Sequence, residues 1–133
     1  MSIVVGFIPT PEGHAALVRA AHEARVRKTD LVVVASHDPA QEKDKAAVAR
    51  FEAELEGVAA RLAADGLSHE LRTFDRGRLP SEDLLEVADE VDADFVVIGL
   101  RRRSPVGKFI LGSQAQQILM NASRPVLTVK AAI

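Results

Sequence analysis

Unbroken apolar runs and helical stripes alternate along this chain. Ser2 to Ile8, Leu31 to Ala35 and Phe95 to Ile98 are continuous and mostly β-branched. Such runs suit strands covered on both faces, as in a parallel sheet. Glu70 to Phe74 is shorter and more polar, which suits a sheet edge. Val126 to Lys130 makes a final strand after Pro125. Between the runs, Val48, Phe51, Leu55, Val58 and Leu62 recur at threes and fours, the cleanest amphipathic stripe in the chain. Leu17, Ala21 and Ala24 give a second stripe. Leu84, Leu85, Ala88 and Val91 give a third, and Ala115, Ile118, Leu119 and Ala122 a fourth.

The punctuation between these segments agrees with them. Pro9 and Pro11 end the first run; Thr10 can cap the following helix, with Pro11 at its first position and Glu12 in its first turn. Ser36-His37-Asp38-Pro39 ends the second run, and Gln41 to Lys45 is a charged loop or helix start. Asp65-Gly66 stops the long helix, and Arg76-Gly77 is a turn. Pro80 opens the third helix, where Ser81, Glu82 and Asp83 complement its dipole. Gly99 ends the fourth strand and frees the backbone to turn or to admit a ligand. Five strands alternate with four helices. The pattern predicts one α/β domain over residues 1–133, a doubly wound parallel sheet with helices on both faces. Ligands of such sheets sit beyond the carboxyl ends of the strands, where strand order reverses.

Composition narrows the function classes. Apolar residues are 47% of the 133, enough for a full core. Seventeen basic against nineteen acidic side chains leave a formal charge of -2, which argues against a nucleic-acid partner. Aromatics are 4%, without Trp or Tyr, so base-stacking platforms are scarce. The lack of Cys removes disulfides, thiolate nucleophiles and Cys-type zinc sites. No apolar run approaches a membrane span, and MSIVVGFIP lacks the basic n-region of a signal peptide; a cytoplasmic protein without a membrane partner is the expectation. His14, His22, His37 and His69 show no metal-ligand spacing, and no metal is expected. Ser113 has no neighbouring His to act as base, so an enzyme is not expected. Val106-Gly107-Lys108 looks like the end of a P-loop. However, Arg102 stands where the first glycine would fall and Phe109 where Mg²⁺ needs a hydroxyl.

The remaining chemistry lies between Phe95 and Arg124. There a buried strand leads through Gly99 into a loop bearing Arg101, Arg102, Arg103 and Lys108, and then into a helix beginning at Gly112-Ser113. The open N–H groups and positive dipole end of that helix, with these cations nearby, suit a phosphate. Gly99, two residues, Arg102, nine residues and Gly112-Ser113 resemble the nucleotide-binding signature of the universal stress protein family, in which a second glycine takes the place of Arg102. The resemblance covers nearly the whole chain and implies the strand order 3-2-1-4-5. It also implies binding of ATP or a related adenine nucleotide: backbone contacts from Gly99 and Gly112, phosphate contacts from Ser113 and Arg102, and adenine contacts near Ser36 and Ile98. Gln114 stands where relatives often place a further hydroxyl, and could donate an amide hydrogen bond instead. Ile8-Pro9 stands where ATP-binding members carry an Asp. Two functions follow: a non-catalytic nucleotide-binding stress protein, or an interaction protein of the same fold that has lost the nucleotide. The resemblance also implies a homodimer through the edge strand Val126 to Lys130.

Overall fold

The computed structural model describes residues 1–36, 45–74, 79–100 and 112–131. Five strands, β1 (Ser2–Phe7), β2 (Asp30–Ser36), β3 (His69–Phe74), β4 (Phe95–Leu100) and β5 (Val126–Lys130), alternate with helices α1 (Pro11–Arg27), α2 (Lys45–Ala64), α3 (Pro80–Glu90) and α4 (Ser113–Asn121). The strands form one parallel sheet in the order β3-β2-β1-β4-β5. This is the doubly wound topology that the family resemblance implies.

Strand pleating sorts the core into two layers. Ile3, Val5, Phe7, Leu31, Val33 and Val97 pack with the stripes of α1 and α2 on one face. Val4, Val32, Val34, Val96 and Ile98 pack with Leu84, Val87 and Ala88 of α3 and Ile118 of α4 on the other. Each such side chain contributes roughly 1.5–3 kcal/mol on full burial, before chain entropy is subtracted. Phe51, Leu55, Val58 and Leu62 of α2 are buried as their spacing predicts.

Three local expectations change. The first strand stops at Phe7 rather than Ile8, because Pro9 has no N–H to continue a ladder. The Ile8 carbonyl instead accepts the Thr10 N–H at 2.8 Å, and its side chain is 43% exposed. Gly99 does not end β4; the ladder continues through Gly99↔Val129 and Leu100↔Lys130. Leu119 does not join the buried face of α4. Only Ile118 of that helix is buried, with Ala115 packed partly beside it, because one narrow flank of this short helix meets the core.

Candidate functional site

All five strands run the same way, so their tips lie along one edge, together with the starts of the helices that return against them. Strand order reverses between β1 and β4. Their ladder is short, Ile3↔Phe95 to Val5↔Val97. Beyond it, β1 stays paired with β2 as far as Phe7↔Ala35, and β4 stays paired with β5 as far as Leu100↔Lys130. The β1–β4 ladder therefore stops short of both strand ends, at the switch point where ligands of such sheets bind.

The first turn of α1 packs against the tip of β4. A Cβ at Gly99 would lie 2.6 Å from the carbonyl carbon of Glu12 and closer still to its oxygen. A Cβ at Gly13 would lie 2.8 Å from the carbonyl carbon of Ile8. These two glycines let the β1–α1 turn settle against the tip of β4. Gly99 is thus required by packing against α1, whatever a ligand needs.

Three of the helix starts along this edge, those of α1, α3 and α4, differ in their electrostatics. Thr10 caps α1, its Oγ1 accepting the Gly13 N–H at 3.1 Å, and Glu12 lies in the first turn. Leu79 gives α3 no side-chain cap, but Glu82 and Asp83 occupy its first turn. The Ser81 N–H also donates to Gln114 Oε1 at 3.0 Å. The N-cap of α4 is Gly112, with no side-chain cap and no acid in the first turn. Gly112 and Ser113 are exposed, and among the described residues a Cβ at Gly112 would meet no atom within 4 Å. The start of α4 is therefore the one of these three left open to an anion.

The sequence-derived site residues separate into groups. Gly112 and Ser113 form the open helix start, and Gln114 is beside them but spends its amide oxygen on α3. Ile98 is buried against α3 and α4, so its side chain is spent on core packing. Ser36 ends β2, and its Oγ donates to Asp83 Oδ2 at 2.9 Å. Arg102 and the rest of the basic loop lie outside the described residues, as do His37, Arg76-Gly77 and Val106-Gly107-Lys108. Ser81 and Asp83 tie the start of α3 to α4 and β2, which their place in the sequence does not reveal. Both are buried, Asp83 at 1% exposure, so Asp83 is more than a dipole complement. Its partner lies 47 residues away, a pairing that only the fold reveals.

A groove of about 780 Å³ runs elsewhere, between α1 and α2, bordered by His14, Arg25 and Glu54. It lies on the opposite face of the sheet from Ser36 and Ile98 and shares none of the expected site residues. Among the described residues, no group of three His, Asp or Glu is placed to hold a metal, and no helix is long and apolar enough to cross a membrane.

The sequence matches the Universal stress protein family over residues 1–130. This chain belongs to that family. A universal stress protein of Mycolicibacterium smegmatis is 41% identical over 130 residues, covering 96% of each chain. The structure of a universal stress protein from Archaeoglobus fulgidus in complex with dAMP superposes with a TM-score of 0.76 at 29% identity, covering 98% of each chain. A universal stress protein in complex with cAMP superposes with a TM-score of 0.75 at 26% identity, covering 99% of this chain and 98% of that one. Over its matched length this universal stress protein therefore shares its fold with proteins solved with AMP-type nucleotides.

Proposed function

We propose that this universal stress protein binds an adenine nucleotide without turning it over, at the tips of β1 and β4, and acts in stress regulation. The observation that carries the reading is the start of α4: exposed, free of acids and without a side-chain cap, on the edge where the ladder between those two strands stops short. The dAMP and cAMP complexes of similar proteins support an adenine and at least one phosphate as the shared chemistry. In this reading Gly112 and Ser113 hold the phosphate, Ser36 and the Ile98 backbone flank the base, and Arg102 adds a charge-assisted contact. Isothermal titration with AMP, cAMP and ATP tests it, together with mass spectrometry of small molecules released from freshly purified protein. Heat of binding or a co-purified adenine nucleotide supports the reading. Silence with all three nucleotides and an empty extract refute it.

A second reading is favoured by the tip of β1. Ile8 is exposed there and Pro9 follows, so Ile8 offers no carboxylate to a ribose or a metal and Pro9 no N–H. An interaction protein that has dispensed with the ligand would look the same at this position, and it would give the empty extract. We also propose a cytoplasmic homodimer through β5, which among the described residues pairs only with β4 and forms the sheet edge. Light scattering at micromolar concentration should give a dimer; a monomer would refute the pairing.

A further inference from the structure

The groove between α1 and α2 points to a second contact surface. Its floor is apolar, with Leu17, Val58 and Leu62 buried beneath it, and Val18 stands 59% exposed at its rim. Gly57 lies on its α2 wall, in the middle of a helix of 20 residues. Glycine weakens a helix interior relative to alanine. Packing within the chain gives no reason for it, since a Cβ at Gly57 would meet no atom within 4 Å. A side chain missing from an exposed helix face lets another backbone come close.

Charge along the same wall says which backbone. Arg50, Glu54, Arg61 and Asp65 all border the groove, spaced by four, seven and four residues. Laid antiparallel on its own copy, this series sets Arg50 against Asp65 of the partner subunit and Glu54 against Arg61 of the partner subunit. By symmetry the other two pairs form as well. The midpoint falls between Gly57 and Val58. Arg50 and Arg61 have no ion-pair partner among the described residues. Glu54 and Asp65 hold only exposed pairs with α1, to His14 at 3.0 Å and Arg25 at 3.8 Å, and can take a second cation.

We propose that α2 is a self-recognition helix: two copies of this chain join through antiparallel α2 helices crossing at Gly57, over the α1–α2 groove. The contact is isologous, as a two-fold interface must be. It lies on the helix that packs against β3, at the opposite end of the sheet from β5, so pairing of β5 edges leaves it free. The chain has no cysteine, so a single introduced thiol reports the crossing directly. Gly57→Cys should form covalent dimers under mild oxidation, and Glu52→Cys, on the far side of α2, should not. Adding Arg61→Glu to Gly57→Cys makes two pairs per dimer repulsive and should lower the cross-linking rate about tenfold. Adding Glu54→Arg as well restores opposite charges and should restore the rate. Equal cross-linking of Gly57→Cys and Glu52→Cys would overturn the proposal and leave the groove to a different occupant. So would a charge swap that fails to rescue. The β5 edge does not enter the readout.

Discussion

The two glycines that resemble a single signature are held by different forces, and substitution separates them. At Gly99 an added methyl would approach the Glu12 carbonyl carbon to 2.6 Å, whereas carbon contacts settle near 3.5–4.0 Å, so the first turn of α1 must move by about 1 Å. The obstacle is helix backbone anchored by the Thr10 cap, not the end of a flexible side chain. Overpacking of this kind costs about 1–3 kcal/mol, and the rigid obstacle puts Gly99→Ala near the upper value. For a chain of this length 1 kcal/mol moves the melting temperature by about 3–4 °C, so a fall of about 10 °C is expected. Gly112→Asp should do the reverse. The position is exposed, with open space around it among the described residues, and its φ of -64° is ordinary for any residue. An Asp there caps α4 and adds a charge that favours its dipole, a gain of about 0.3–1 kcal/mol. The same carboxylate occupies the N–H groups offered to phosphate, so nucleotide affinity should fall at least about tenfold. Thermal unfolding by circular dichroism, paired with titration of AMP, reads both. A Gly99→Ala protein melting within about 2 °C of the parent would refute the packing argument. A Gly112→Asp protein that binds AMP as the parent does would refute the phosphate assignment.

Two further substitutions probe the frame around the site. Asp83→Ala removes the acceptor of the Ser36 hydroxyl from a buried position and should destabilise by about 1–3 kcal/mol in urea unfolding; Ser36→Ala should cost only about 1 kcal/mol, and equal losses would contradict the assignment of Asp83 as the anchor. Arg124→Ala removes contacts from Nε to the Ala93 carbonyl at 2.7 Å, from Nη1 to Asp89 and from Nη2 to Asp92, and should lower the melting temperature. The hydrogen bond that it donates to Asp92 is the chief reason this guanidinium titrates above its ordinary value. A raised folded value stabilises fully below the unfolded value and is lost only above it, beyond the range of the assay. The deficit should therefore be the same at pH values of about 7 and 9; a deficit that shrinks on going to pH 9 would contradict this.

Much of the fold is legible in the residues because its causes are local. Val48, Phe51, Leu55, Val58 and Leu62 declare α2 by spacing, and the runs of β1, β2 and β4 declare strands buried on both faces. Strand order is not local. It came through the resemblance carried by Gly99, Gly112 and Ser113, and the ladders agree with it. What stayed hidden depends on distant partners. Asp83 looks like any acid at a helix start until β2 brings Ser36 beside it. Gly99 looks like a ligand's glycine, although what crowds it is a helix that begins far away in sequence. Gln114 reads as a phosphate donor, yet its amide oxygen faces the backbone of α3. Leu119 fits a helical stripe, yet it sits on the outer flank of α4 and stays 40% exposed.

If an adenine nucleotide rests its phosphate on the open start of α4, beside the tips of β1 and β4, the amides there must respond to it. Backbone amide spectra of nitrogen-15-labelled protein, recorded while AMP is added, test this residue by residue. The largest shifts should fall on Ser113, Gln114 and Ala115, with smaller ones at Ser36 and Ile98. An unmoved α4 start contradicts the claim, and shifts gathered instead along His14, Arg25 and Glu54 would place the ligand in the wrong part of the molecule.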